Sequence, residues 1–239
     1  MSLVAGFQPL YKQVYDILME RLVDGTWKPT ESLPSEQALA AELGVSQGTV
    51  RKALNNLVAE KLLERRQGKG TYVAEHTHES SFFRFFHFSE PGQESLIPDT
   101  SIISVGRRSS TAKERSYLGL SSKTQVAEMV RLRSLKGKPT IYETITQPLS
   151  IFPNIDKLDS YPNALYTLYQ EKYGVSVAEV KEELRAVKAP ARAAKVLEID
   201  TGSAVLMVER SSMSIDGRTV EWSCSYCSTS DFVYSVTIS

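Results

Sequence analysis

In the stretch LPSEQALAAELGVSQGTVRKALNNLVAEKLLERRQGKGTYV, apolar residues recur at helical spacing in two blocks that are separated by a single turn. Ser35 can cap a first helix, Gly44 can end it in a left-handed conformation, and Ser46 can cap the next helix. The pattern therefore predicts helices over residues 35–43 and 47–60 joined by a tight turn. That arrangement is a helix-turn-helix.

A further helix and a hairpin flank this pair. Helical spacing predicts a first helix over residues 9–24, ended by Gly25, with apolar positions Leu10, Val14, Ile17, Leu18, Leu22 and Val23. After the third helix, two short strands surround RQGKG, where Gly68 and Gly70 permit a sharp reversal. Three helices and a basic hairpin make a winged helix-turn-helix.

The rest of the chain alternates strand and helix patterns without a strict βαβ order, which predicts an α+β domain with an antiparallel sheet. Turn residues in KGKP and IDGR indicate hairpins. The expected strands cover residues 101–108, 125–135, 140–148, 175–189, 204–214, 219–227 and 232–238. Short helices are expected over residues 112–118, 163–173 and 190–197.

These patterns divide the 239 residues into a winged helix-turn-helix domain over 1–75, a short linker over 76–80 and a second domain over 81–239. Residues 112–143 and residues 193–221 show a weak internal similarity. In each, a helix precedes an apolar strand bearing arginine, a glycine turn, and a strand bearing glutamate. A duplicated sheet would place a pocket between its halves, although chance similarity is the alternative.

Charge narrows the expected nucleic-acid surface. The chain carries 28 basic and 28 acidic residues, so general polyanion binding is not indicated. Between Ser46 and Tyr72, however, the sequence contains six basic residues and only two acidic ones. Any DNA contact is therefore expected to be local to the helix-turn-helix and its hairpin.

Other features exclude several classes of protein. No apolar run approaches the roughly 20 residues that span a bilayer, and no signal peptide is apparent, so we expect a cytoplasmic protein. Cys224 and Cys227 lie on a predicted strand, where residues three apart point to opposite faces. We interpret them as structural or incidental rather than as zinc ligands, and His76, His78 and His87 as ordinary side chains. No metal or cofactor is expected.

The residues PLYKQV, LPSEQALAAELGVS, TVRKAL and LLERRQGKGTYV resemble, in order, the DNA-binding domain of the GntR family of bacterial transcriptional regulators. The rest resembles the effector-binding (UTRA) domain of the HutC subfamily, which has a chorismate-lyase-like fold. The segments that carry this second resemblance are VRLRSLKGKPTIYET, LYTLYQEKYG and LMVERSSMSIDGRTVEWSCSY. The first resemblance implies an operator-binding domain, and the second implies a small-molecule sensor.

The resemblance and the physics of DNA recognition together assign a DNA-binding set. The start of the third helix is expected to enter the major groove, with Arg51 reading guanine and Ser35 contacting phosphate. The family often has arginine at the positions of Gln37 and Gln47, and glutamine suits adenine better. The remaining expected contacts are Ser46, Gly48 and Thr49 on the helix, Tyr11, Lys52, Arg65, Arg66 and Lys69 on the DNA backbone, and Gln67 and Gly68 at the wing tip.

A candidate pocket follows from alternation along a strand. Arg131 and Arg133 are two residues apart, so both point to one face and need an anionic ligand or a carboxylate beside them. Similarity to HutC-type domains implies that these arginines line the pocket with Arg84, Glu143, Tyr166 and Glu221. The family often has a tyrosine after the second glutamate; here it is Tyr226, although an ungapped match falls on Cys227.

We therefore expect a homodimeric regulator, acting as a repressor, that binds palindromic double-stranded operator DNA and responds to a small anionic metabolite. Two alternatives stay open. One is a constitutive DNA-binding dimer whose second domain only dimerises. The other is a chorismate-lyase-like enzyme fused to a DNA-binding domain, although the sequence offers no credible local catalytic motif.

Overall fold

The computed structural model describes residues 8–28, 30–60, 62–74 and 85–236. The chain forms two compact units, Met1–Glu75 and His76–Ser239. The predicted linker, residues 76–80, lies outside the described residues, as do Arg84, His76 and His78.

The first unit contains three helices and a hairpin: α1 (Leu10–Val23), α2 (Glu36–Leu43), α3 (Gln47–Ala59), β1 (Leu63–Arg66) and β2 (Gly70–Val73). The predicted caps are present, since Ser35 Oγ accepts from Ala38 N and Ser46 Oγ accepts from Thr49 N, both at 3.1 Å. Gly44 ends α2 with a φ of 66°. The core of this unit includes Val14, Leu18, Leu39, Val50, Ala53, Leu54 and Leu57.

The two short strands form the predicted wing. They pair antiparallel, with Leu63 opposite Val73 and Arg66 opposite Gly70. The turn closes where Lys69 N donates to Arg66 O at 2.9 Å. The basic residues of the hairpin, Arg65, Arg66 and Lys69, are exposed. The winged helix-turn-helix prediction is confirmed.

The second unit is built on a six-stranded antiparallel sheet with the order β4-β5-β6-β9-β8-β7. Its strands are β4 (Asp99–Ser109), β5 (Gln125–Leu135), β6 (Lys138–Pro148), β7 (Val177–Lys188), β8 (Ala204–Ser214) and β9 (Thr219–Cys227). Its helices are α4 (Ala112–Leu118), α5 (Leu165–Tyr173) and α6 (Ala191–Leu197), with a 3₁₀ turn at Ile155–Lys157. The predicted α+β class with an antiparallel sheet is confirmed.

One predicted element is corrected. The expected strand over residues 232–238 reduces to β10 (Val233–Tyr234), which pairs with an unpredicted strand, β3 (Phe88–Ser89). Residues 235 and 236 lie outside the strand, and residues 237–239 are not described. This two-residue ladder joins segments about 145 residues apart, so local pattern could not reveal it.

The sheet domain repeats one order of elements. The run β4-α4-β5-β6 is followed by β7-α6-β8-β9, and the two halves meet where β6 pairs with β9. Glu143 lies opposite Ser225 in this central ladder. The structure thus contains the repeated order of elements that the weak internal similarity of the sequence indicated.

The two faces of the sheet are covered by different helices. On one face, Ala127 and Met129 of β5 pack with Leu165 and Tyr169 of α5. On the other face, Val130 of the same strand packs with α6. Because strand residues alternate between faces, Arg131 and Arg133 are directed to the α5 side of the sheet.

Candidate functional site

The predicted DNA-contacting residues lie on α1, α2, α3 and the wing. Tyr11 and Thr49 are half-buried. The other members of the set are exposed: Ser35, Gln37, Ser46, Gln47, Gly48, Arg51, Lys52, Arg65, Arg66, Gln67, Gly68 and Lys69. The structure therefore makes nearly all of these residues accessible to a large ligand.

A carboxylate that the sequence analysis did not single out ties α3 to the wing. Glu36 Oε2 accepts from Arg51 Nε at 2.8 Å, and Glu36 Oε1 accepts from Arg65 Nη2 at 3.0 Å. Arg65 Nη2 also donates to Asn55 Oδ1 at 2.8 Å, and Gln47 Nε2 lies 3.4 Å from Glu36 Oε2. One acidic side chain thus joins α2, α3 and β1.

Two other basic side chains are supported by aromatic rings. The Lys52 ammonium lies 3.8 Å from the centroid of the Tyr11 ring, which links α3 to α1. The Arg66 guanidinium lies 4.2 Å above Tyr72, and its Nη2 pairs with Glu64 at 2.5 Å. Cation–π contacts restrict these long side chains while leaving their charge at the surface.

A pocket lies on the α5 side of the sheet domain. It contains about 390 Å³ of empty space, a volume that includes open solvent at its mouth. Its charged lining comes from both halves of the sheet, and the full lining is Phe85, Phe86, Arg131, Arg133, Glu143, Ala164, Leu165, Tyr166, Arg210 and Glu221.

The first half of the sheet contributes two arginines and a carboxylate. Arg131 Nε donates to Glu143 Oε2 at 2.5 Å, while Arg133 Nε lies 3.8 Å from the same oxygen. Both guanidinium groups also donate to the carbonyl oxygen of Asn163 at 3.4 Å. The two arginines, which are no more than 7% exposed, therefore converge on one buried position.

The second half contributes Arg210, which the sequence analysis did not name. Its Nη2 contacts Glu182 Oε1 and the carbonyl oxygen of Phe85, both at 2.5 Å. Phe86 completes this wall, and the Arg133 guanidinium lies 5.2 Å from its ring centroid. Arg210 lies on β8, the strand of the second half that corresponds to β5, which bears Arg131. The internal similarity of the sequence was therefore the signal that could have identified Arg210.

Glu221 lies in a network of hydroxyl groups from α5 and β8. Ser212 Oγ donates to Glu221 Oε1 at 3.1 Å and lies 2.7 Å from Tyr166 Oη. Tyr169 donates to the other carboxylate oxygen and accepts from Gln147. This carboxylate is therefore held by neutral groups, in contrast to Glu143.

The electrostatics of the pocket follow from burial and from these partners. Burial acts to raise the pKa of Glu143, but Arg131 and Arg133 hold it at about 2. Burial and the nearby Glu143 raise the pKa of Glu221. Burial and the positive charge of Arg131 lower the pKa of Arg133 to about 9. The pocket therefore places three arginines beside two carboxylates whose pKa values are displaced in opposite directions.

Five of the seven predicted pocket residues come together here: Arg131, Arg133, Glu143, Tyr166 and Glu221. Arg84 lies outside the described residues. The structure does not bring Tyr226 to the pocket, because the alternation of β9 directs it to the opposite face, against the cluster of Tyr142 and Ala193. Cys227 is buried and lines an adjoining cavity with Arg133, Glu143 and Arg210.

Among residues 8–28, 30–60, 62–74 and 85–236, no group of three His, Cys, Asp or Glu side chains is arranged to hold a metal ion. None of the helices in this part of the chain has the length and apolar character that a bilayer crossing demands.

The winged helix-turn-helix and the following sheet domain define a DNA-binding transcription regulator. Residues 10–73 match the gntR family of bacterial regulatory proteins, and residues 93–233 match the UTRA domain. The chain therefore belongs to the GntR family and is of the HutC type, with a UTRA domain.

The similar proteins are transcriptional regulators, and the similarity extends over most of their length. The mannosyl-D-glycerate transport/metabolism system repressor MngR of Escherichia coli is 29% identical over 97% of this chain and 96% of its own. The transcriptional repressor NagR of Bacillus subtilis is 27% identical over 89% of this chain and 88% of its own. These relatives and both domains are those of transcriptional regulators, not of enzymes.

Solved structures share the fold. The ligand-binding domain of a GntR-family regulator from Bordetella bronchiseptica aligns with 66% of this chain and 99% of its own, with a TM-score of 0.61 and 24% identity. PhnF from Mycobacterium smegmatis aligns with 95% of this chain and 99% of its own, with a TM-score of 0.56 and 19% identity.

Proposed function

We propose that this GntR-family protein is a repressor whose operator affinity is controlled by a small anionic metabolite bound in the Arg131, Arg133 and Arg210 pocket. The observation that carries the proposal is the convergence of the buried Arg131 and Arg133 and the half-buried Arg210 on one cavity of the sheet domain. Arginine recognises carboxylate and phosphate groups through paired, charge-assisted hydrogen bonds. A metabolite with such a group would add negative charge to a pocket that holds three arginines and two carboxylates.

The chemistry of the remaining lining narrows the ligand. Glu143 and Glu221 are suited to accept hydrogen bonds from hydroxyl groups, while Phe86 and Tyr166 offer apolar surface. MngR is named for a system that handles mannosyl-D-glycerate, a sugar joined to a carboxylic acid. We therefore expect a carboxylated or phosphorylated metabolite that also carries hydroxyl groups.

For the DNA-binding unit, we propose that α3 enters the major groove. Arg51 would read guanine, and Gln37 and Gln47 would favour adenine. Ser35, Tyr11, Lys52, Arg65, Arg66 and Lys69 would contact the DNA backbone, with Gln67 and Gly68 at the wing tip and Ser46, Gly48 and Thr49 along the helix. Because one helix reads only a few base pairs, we propose a homodimer on a palindromic operator in the cytoplasm.

A thermal-shift screen tests the ligand proposal. The full-length protein is screened against small carboxylates, amino-acid breakdown products and sugar phosphates. A ligand at about 100 times its dissociation constant adds roughly 2.7 kcal/mol to the free energy of unfolding. Any compound that raises the melting temperature is then added to an operator-binding assay, where it should weaken DNA binding.

The controls separate this pocket from the rest of the surface. Arg131→Ala and Arg133→Ala should abolish the shift, whereas Arg218→Ala should keep it, because that arginine is exposed, pairs with Asp216 and is not part of the pocket lining. If both pocket variants respond like the wild type, the pocket assignment is wrong. Silence across a broad metabolite library would instead favour the constitutive dimer.

A further inference from the structure

Glu36 is an acidic residue in the middle of a basic surface. Its side chain is 18% exposed, whereas its partners Arg51 and Arg65 are 54% and 44% exposed. An acidic group on a DNA-facing surface is unfavourable for binding, because DNA phosphates repel it. We therefore expect Glu36 to make a favourable contribution that exceeds this repulsion.

The geometry around Glu36 supplies such a role. Each carboxylate oxygen holds a different basic side chain, with Arg51 from α3 on Oε2 and Arg65 from the wing on Oε1. Arg51 donates to Glu36 through its Nε, and its terminal Nη groups donate no hydrogen bond to any of the described residues. Those groups are the donors that an end-on contact to the O6 and N7 atoms of guanine requires.

We propose that Glu36 is a positioning residue that sets DNA sequence specificity. It fixes Arg51 and Arg65 in one relative arrangement before DNA arrives, so less side-chain entropy is lost when the correct bases are contacted. Its negative charge also offsets part of the attraction of these arginines for arbitrary phosphates. The proposal rests on the proposed function only in taking α3 and the wing as the DNA-contacting surface.

Binding measurements on two duplexes test this role. The first duplex is selected from a random library by the full-length wild-type protein, and the second is a shuffled sequence of the same composition. Glu36→Gln removes the charge but keeps the shape, and Glu36→Ala removes both contacts. In each variant, we expect the ratio of the affinities for the selected and the shuffled duplex to fall roughly tenfold. A tenfold loss lies in the lower part of the range for one lost bidentate base contact.

The matched control is Glu42→Gln, because Glu42 lies on the same helix and pairs with Arg21, and its side chain is 49% exposed. This variant makes the same change in net charge and should leave the ratio within twofold of the wild type. Melting temperatures of all variants confirm that the first unit is folded. A ratio retained by both Glu36 variants would overturn the proposal.

A double-mutant cycle separates positioning from a general charge effect. In an Arg51→Ala background, Glu36→Gln should change the ratio by less than twofold, because the base-reading side chain that it positions is gone and Arg65, its other partner, is proposed to contact only the DNA backbone. Additive effects would contradict the proposal. If the wild type enriches no sequence, the DNA-binding surface itself is wrongly assigned; if Arg51→Ala loses discrimination while the Glu36 variants keep it, only the role of Glu36 fails.

Discussion

At the scale of single residues, the two carboxylates of the pocket are in opposite electrostatic environments. Glu143 is paired with Arg131 in the first half of the sheet, whereas Glu221 accepts hydrogen bonds from neutral hydroxyl groups in the second half. Their pKa values are displaced accordingly, to about 2 for Glu143 and upward for Glu221. The same chemical group is therefore stabilising at one position and costly at the other.

Replacing each carboxylate by its amide should separate these two cases. Glu143→Gln leaves Arg131 buried without its counter-charge, so we expect a loss of roughly 3–5 kcal/mol in the free energy of unfolding at neutral pH. Glu221→Gln removes a buried charge and should be neutral or stabilising. Urea unfolding measures both variants in a Trp27→Phe background, where the fluorescence of Trp222 reports only the sheet domain. Equal losses in the two variants would contradict this account.

The low pKa of Glu143 also predicts how stability depends on pH. An unpaired glutamate has a pKa near 4.5, and the folded value of about 2 is lower, so ionised Glu143 stabilises the fold above pH 4.5. That contribution, about 3 kcal/mol, is lost as the pH falls through the window from 4.5 to 2.

Acid titration of unfolding, followed by the fluorescence of Trp222, checks this prediction. The wild type should lose stability over this window, and Glu143→Gln should lose less. Glu114 supplies a separate share, because the pairing with Arg108 and the backbone of Thr111 overcomes burial and holds its pKa at about 2. Acid sensitivity that is the same in the wild type and the variant would refute the assignment.

At the scale of elements, backbone conformation distinguishes the glycines of the DNA-binding unit. Gly70, where the wing turns back, has a φ of 113°, a value that residues with a side chain rarely adopt. Gly48 lies inside α3, and an added Cβ there would meet only Ser46 Oγ at 3.8 Å. The first glycine is required by the hairpin, and the second is replaceable on steric grounds.

Alanine at these two positions should therefore act in opposite directions. Gly48→Ala should stabilise the unit by about 0.5–1 kcal/mol, because alanine favours the helical conformation. Gly70→Ala should cost about 1–3 kcal/mol of backbone strain. Unfolding followed by Trp27 fluorescence in a Trp222→Phe background isolates this unit. Destabilisation by Gly48→Ala would show that the helix face at that position is tighter than the structure indicates.

Elements whose signal is local were predictable from the sequence. The helix pair was set by the caps at Ser35 and Ser46, and the turn between β5 and β6 by Lys136 and Gly137, which have φ values of 51° and 77°. The ladder between β3 and β10 could not be predicted in this way, because each strand has two residues and their pairing depends on the finished fold.

The same distinction explains the pocket. Alternation along β5 was enough to place Arg131 and Arg133 on one face. Arg210 joins them through the pairing of β6 with β9 and of β9 with β8, which alternation along one strand does not encode; the internal similarity of the two halves was the sequence signal for it. Glu36 went unnoticed for a similar reason, since its partner Arg65 is 29 residues away on the wing.

At the scale of the whole molecule, a repressor that senses a metabolite needs free-energy coupling between its two binding sites. A ligand shifts the equilibrium between two conformations only by the ratio of its affinities for them. Thermodynamic linkage requires operator DNA to weaken ligand binding by the same factor by which ligand weakens DNA binding. This reciprocity needs no assumption about how the two units are arranged.

We therefore predict matching factors from two titrations of the full-length protein, each between about 5 and 150, the usual range of allosteric coupling. One titration measures operator affinity with and without saturating ligand from the thermal-shift screen. The other measures ligand affinity with and without saturating operator, and a shuffled duplex serves as the control. Arg133→Ala should remove the coupling by removing ligand binding, while Arg51→Ala should keep ligand affinity and lose its response to operator. A ligand that stabilises the protein but leaves both factors at one would show that the pocket binds metabolites without controlling DNA binding, and the proposed repressor mechanism would then be wrong.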